Sequence, residues 1–190
     1  MIAFKGFNQK MQCTMGKGTF QYEVGKTYQE KACKCTANGF HCCENPLDVL
    51  DYYSGKGSRF AVVEAGGDIN QDAYETKIAC TEITVKKEIT RLELGAYACG
   101  YIQKYPERQI SSQYLSENRG RCGKAWDFVI VRGKDPSAAA VKGGYFFLLV
   151  EEPDSSEIRD VYVCCANGED AKPDTYYKVR EGKICEEKNC

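Results

Sequence analysis

A chain of 190 residues, 43% hydrophobic and 28% charged, is long enough to bury one generous core or two small ones, and its composition excludes long disorder and a fibrous chain. Its formal net charge of -1 lacks the Lys/Arg excess with which a surface tracks phosphates, so nucleic acid is not an expected partner. No stretch approaches the roughly 18 consecutive apolar residues of a membrane span, and Met1-Ile2-Ala3-Phe4-Lys5-Gly6 has no apolar secretory core, so the expected compartment is the cytoplasm, away from membranes.

The first predicted strands are Ile2 to Phe7 and Thr19 to Val24, the second ending at the turn residues Gly25-Lys26. Asn45-Pro46-Leu47-Asp48 predicts a helix start, with Asn45 as cap, Pro46 in the first position and Asp48 in the first turn. That helix runs to about Tyr53 and places Leu47 and Leu50 on one buried face, with Val49 and Tyr53 as a second neighbouring pair. Arg59 to Glu64 is a predicted strand ended by Gly66-Gly67, and Lys77 to Val85, rich in β-branched residues, pairs with it across the intervening turn. Thr90-Arg91-Leu92-Glu93 is a capping box, in which hydroxyl and carboxylate each satisfy a backbone N–H. It opens a helix reaching about Tyr105, before Pro106.

Residues 107–124 are polar and carry Gly120 and Gly123, which predicts a linker. Beyond it, Trp126 to Val131, Ala138 to Val141, Tyr145 to Val150, Ile158 to Cys165, Tyr176 to Arg180 and Lys183 to Glu186 read as strands, with Tyr145 to Val150 apolar on both faces and therefore buried. Turns at Pro153-Asp154, Asn167-Gly168 and Glu181-Gly182 separate the later ones. The expected fold is a β-rich α+β chain: an N-terminal strand and helix module with two helices over 1–106, a polar linker over 107–124, and a C-terminal antiparallel β meander over 125–190.

The 12 cysteines stand out from this ordinary composition. In a small secreted chain that count reads as a disulfide framework. Here the adjacent pairs Cys42-Cys43 and Cys164-Cys165 point to opposite faces of their strands, and Cys80, Cys99, Cys164 and Cys185 lie in apolar segments where a thiol acts as filler, so mostly reduced thiols are expected.

Three segments carry a resemblance: Phe4-Lys5-Gly6-Phe7 with Tyr22-Glu23-Val24-Gly25-Lys26-Thr27-Tyr28; Gly39-Phe40-His41-Cys42-Cys43-Glu44-Asn45-Pro46-Leu47-Asp48-Val49-Leu50 with Tyr52-Tyr53 and Val63-Glu64-Ala65-Gly66-Gly67; and Lys172-Pro173-Asp174-Thr175-Tyr176-Tyr177. Together they resemble an uncharacterised family of phage and prophage proteins. That resemblance implies a phage-associated setting, with the host bacterial cytoplasm as the compartment, and it implies no reaction. Relatives of this kind carry Ser- and Ala-containing repeats able to stack as a β-solenoid, and Gly133-Lys134-Asp135-Pro136-Ser137-Ala138-Ala139-Ala140 is similar to one such unit. A single unit does not bury its own face, so a repeat-based role is not expected.

Cys33, Cys35, His41, Cys42 and Cys43 place five soft ligands in eleven residues, enough in number for zinc but without the usual C-x2-4-C knuckle, so no metal is expected and zinc is the alternative. His41 is the single histidine, hence the one available imidazole base; its plainer role is to orient the turn into the helix at Asn45. Tyr28, His41, Tyr52, Tyr53 and Glu64 follow a strand, turn, helix, strand order similar to ADP-ribosyltransferase-like folds. That likeness implies NAD as cofactor, with tyrosine against the nicotinamide, Tyr28 as a binding candidate, and His41, Tyr52, Tyr53 and Glu64 as catalytic candidates; structural tyrosines sealing a core edge are the plainer reading. No catalytic set stands above these plainer roles. The expected function is therefore binding of a protein partner, as a phage-associated inhibitor of a host defence component, with an NAD-using transferase and a virion or structural component as alternatives.

Overall fold

The computed structural model describes residues 1–14, 18–35, 37–71 and 76–190. It comprises two units, Met1–Leu94 and Gly95–Cys190. The division falls inside the second helix, not in the polar stretch that follows it.

In the first unit, strand β1 (Ile2–Phe7) lies between β6 (Arg59–Gln71) and β5 (Phe40–Cys43), and β5 and β6 both pair with β7 (Lys77–Ile89). The four strands therefore close into a ring, all of whose pairings are antiparallel. Closure removes free edges and leaves one face to be filled. Alternate residues supply that filling, with Ala3 and Phe7 from β1, Cys42 from β5, Ala61 and Val63 from β6 and Val85 from β7 in one buried cluster. Short strands β2 (Gln12–Cys13) and β3 (Phe20–Gln21) pair with each other, and β4 (Thr27–Gln29) extends the sheet along β7. The predicted strand over Thr19 to Val24 is thus reduced to two residues. Strand β6 runs on past Gly66-Gly67 as far as Gln71, because a bulge between Gly66 and Ile69, with Gly67 at φ 65, absorbs the irregularity that was expected to end it.

Asn45 caps as anticipated: its side chain accepts from the Leu47 N–H at 3.1 Å. A 3-10 turn (Pro46–Asp48) leads into helix α1 (Val49–Tyr52), and Leu47 and Leu50 are fully buried. The capping box also forms, since Thr90 N–H donates to Glu93 Oε2 at 2.7 Å and Glu93 N–H to Thr90 Oγ1 at 3.1 Å. Helix α2 (Arg91–Lys104) follows.

In the second unit, the stretch expected to be a linker contains a strand, β8 (Leu115–Cys122), whose polar residues escaped a hydrophobic reading. It pairs in parallel with β9 (Phe128–Ala140), which pairs in parallel with β10 (Tyr145–Glu151). An antiparallel meander is therefore corrected to a mixed sheet. Parallel neighbours ordinarily need a crossover of about a dozen residues, yet here 123–127 and 141–144 suffice. The strands bend midway, so the chain winds as a coil. At the bend Asn118, with φ 59, stands alone against 133–136 of β9, and its Oδ1 lies 2.6 Å from where a Cβ on Gly133 would sit. A side chain at 133 would displace the Asn118 amide, and the φ of 154 there is one that glycine adopts readily. The one segment similar to a repeat unit is thus a rung among rungs, with β8 and β10 supplying neighbours of unrelated sequence. Strands β11 (Ile158–Cys165), β12 (Tyr177–Arg180) and β13 (Lys183–Glu186) complete the sheet with antiparallel pairings, as predicted. Ten cysteines are free thiols, and Cys185 and Cys190 form a disulfide, so Cys185 is not core filler.

Candidate functional site

The first unit's ring of strands is weakest between β1 and β5. They are registered at one position, Phe4 opposite Cys43. Continuing that register would set Gly6 against His41, but the strands part, and Lys5 Nζ donates to the His41 carbonyl at 2.6 Å in place of a strand N–H. The gap is a cleft of about 670 Å³ with Phe4, Lys5 and Gly6 on one side, Gly39, His41 and Cys43 on the other, and Tyr52, Tyr53 and Lys77 completing the wall. Ligand pockets span about 300–1,000 Å³, so the volume suits a small molecule.

Tyr53 lies directly on β1. A Cβ added at Gly6 would meet Tyr53 Cδ2 at 2.5 Å and its Cβ at 2.8 Å, so the missing side chain is what admits the ring. The Tyr53 hydroxyl accepts from the Thr14 N–H at 3.3 Å, and burial, then a hydrogen bond with Cys13, pushes its pKa up. Across the cleft Lys77 Nζ stands 4.8 Å from the centre of the Tyr52 ring, a cation over an aromatic face.

His41 is half-buried, and its Nε2 is a buried atom without a hydrogen-bond partner among the described residues. Burial lowers its pKa first, with the charges of Lys5 and Lys77 acting in the same direction, against hydrogen bonds to the backbone of Lys34 and Gly39. Nε2 is thus a buried polar atom facing the cleft with its hydrogen-bonding capacity unused among the described residues. Lys5 is more unusual. It shares the inward parity of Ala3 and Phe7 and is 4% exposed, with its ammonium 5.1 Å from the Tyr22 ring centre and 5.8 Å from that of Phe7. No carboxylate lines the cleft among the described residues.

The candidate residues read from the sequence are only partly assembled here. His41, Tyr52, Tyr53, Cys42 and Cys43 line the cleft; Tyr28, Glu64, Cys33 and Cys35 do not. Tyr28 packs in an aromatic cluster 5.2 Å from Tyr22 and 5.3 Å from Phe20, with its hydroxyl accepting from the Glu23 N–H at 2.8 Å. Glu64 pairs with Lys86 at 3.0 Å on the exposed side of β6, so the carboxylate that nicotinamide chemistry needs is not beside Tyr52 and Tyr53. The Cys33 thiol donates to the Asp68 carbonyl at 3.2 Å and the Cys35 thiol to the Asn70 carbonyl at 2.9 Å, while Cys42 turns inward to a hydrogen bond with Cys80. Among the described residues no three His, Cys, Asp or Glu side chains converge as a metal ion requires. Sequence reasoning missed Lys5, Gly6 and Lys77. The signal for Lys5 was present as a charge at the inward position of an otherwise apolar strand.

The family model described as Domain of unknown function (DUF7666) matches residues 1–96, and the chain belongs to that family. No curated protein and no solved structure matches the chain.

Proposed function

We propose that this member of the DUF7666 family works by binding, with the cleft between β1 and β5 as its recognition site. The observation that carries this reading is that the two strands separate after a single registered pair, while packed side chains hold the opening: Lys5 bridges it and Tyr53 rests on Gly6. A gap lined by rings and lysines is suited to holding a ligand. It is poorly suited to turnover, since no carboxylate lines the cleft beside His41 among the described residues and Cys42 is buried with its pKa pushed well up, chiefly by its hydrogen bond with Cys80. The motif resemblance supports a phage or prophage setting, in which the occupied cleft serves to interfere with a host defence component.

Ligand-observed NMR with a library of small aromatic fragments tests the reading. Saturation transfer from wild type, lost in a folded Tyr53→Ala variant, is the supporting result; fragments that bind both proteins alike, or none at all, overturn it. A second reading, a structural component, draws on the parallel stack of β8, β9 and β10, because a coil with an open rung extends by adding another. Light scattering decides it: a trimer or larger assembly supports that role and a monomer removes it.

A further inference from the structure

Lys5 is a buried cation with few partners among the described residues. An ammonium carries three donors, and the described residues give this one a single hydrogen-bond acceptor, the His41 carbonyl, together with the faces of Tyr22 and Phe7. No ion pair joins it to a carboxylate among the described residues, although a buried charge is costly unless paired. The acidic groups at its flank are Tyr22, Cys42 and Cys80. Burial first pushes the Tyr22 phenol far up, and Cys42 is likewise raised. Cys80 alone is drawn down, first by its hydrogen bond with Cys42 and then by the Lys5 charge, against burial, and its thiol is engaged with the Phe40 carbonyl at 3.5 Å.

Two further observations converge on the same space. Lys77 lies on the opposite wall over Tyr52, and its charge reaches His41, as does that of Lys5, so both fields overlap inside the cleft. Tyr52 and Tyr53 line the cleft, and the buried His41 Nε2 has no hydrogen-bond partner among the described residues.

We propose that the cleft takes a small planar organic anion, its negative group held by Lys5 and Lys77 and its ring set against Tyr52 and Tyr53. This rests on the binding reading above and names its ligand class. Carboxylate and phosphate both accept from ammonium groups, and a ring bearing an amino group, as adenine does, brings a donor to His41 Nε2.

Isothermal titration of the whole chain separates the parts with four probes: benzoate (ring and carboxylate), adenosine monophosphate (ring, amino group and phosphate), adenosine (ring without charge) and inorganic phosphate (charge without ring). At least one ring-bearing anion is expected to bind about tenfold or more tighter than both adenosine and phosphate, as a charge-assisted hydrogen bond implies. Tighter benzoate identifies a carboxylate ligand, and tighter adenosine monophosphate a nucleotide. Lys5→Met is expected to abolish that preference, bringing the ring-bearing anion down to the affinity of adenosine. Should Lys5→Met fail to fold, Lys77→Met on the cleft wall decides, with the same loss of preference expected. Ring-bearing anions that bind no tighter than adenosine, or a preference that survives substitution of the lysines, overturn the proposal. If aromatic fragments still bind in a Tyr53-dependent way, only the ligand class falls; if nothing binds, the binding reading falls with it.

Discussion

Gly6→Ala probes the packing that keeps the cleft open. Gly6 has no positive φ, so alanine meets no backbone obstacle there. Its methyl group, however, would sit 2.5 Å from Tyr53 Cδ2, 2.8 Å from Cβ and 2.9 Å from Cγ. Contact at Cβ means that a rotamer change does not relieve the clash; the residue must move bodily away from β1. Overpacking of this kind costs about 1–3 kcal/mol, and the reduced freedom of the unfolded chain returns about 0.4–1 kcal/mol. A net loss of about 1–2 kcal/mol follows, read as a lower urea midpoint at unchanged slope by circular dichroism. Adding Tyr53→Ala should make the alanine at position 6 harmless, giving a coupling of about 1 kcal/mol or more in a double-mutant cycle. A Gly6→Ala protein as stable as wild type, or more so, refutes the contact between Tyr53 and the strand.

Burial first, and then the charges of Lys5 and Lys77, lower the His41 pKa, so Lys5→Met should let the imidazole titrate at higher pH than in wild type, as followed by NMR of the single histidine. Thr90→Ala breaks the capping box and should cost about 1 kcal/mol by urea unfolding. Glu93 in that box is held at about 2 by hydrogen bonds from Thr90 and Lys87. Because its folded pKa lies below its unfolded value, its contribution is fully present above pH 4.5 and is lost as pH falls toward 2, so the penalty of Glu93→Gln should shrink over that window. In the second unit, Arg132 pairs with Glu151 at 2.6 Å and donates to the carbonyls of Pro106 and Ser156, each at 3.0 Å. Arg132→Met strands the carboxylate, and a loss of about 2–3 kcal/mol is expected from denaturation followed at Trp126, partial exposure discounting the fully buried case.

Local chemistry was legible from the residues. The cap at Asn45, the box at Thr90 and Glu93, and the strands from Ile2, Tyr145, Ile158 and Lys183 rest on turn and helix-start signals that act over a few positions. The cleft was half legible, since the segment from Gly39 to Tyr53 is contiguous and folds back on itself. Glu64 was misplaced because strand parity, not sequence order, decides which face a side chain reaches, and β6 turns it outward to Lys86. Closure of the ring and separation of β1 from β5 are non-local pairings, and no window of residues reports them. The parallel coil escaped for a related reason: short connections normally join antiparallel strands, and the bend at Asn118 and Gly133 that permits otherwise shows only as an asparagine and a glycine in polar stretches.

The most direct measurement is the NMR titration of the His41 imidazole with and without saturating benzoate, a ring-bearing anion that brings no donor to Nε2. Burial lowers the His41 pKa first and the charges of Lys5 and Lys77 lower it further, so neutralising the two lysines should move it upward in wild type and much less in Lys5→Met. A titration curve that the anion leaves unchanged would contradict occupancy of the cleft between β1 and β5.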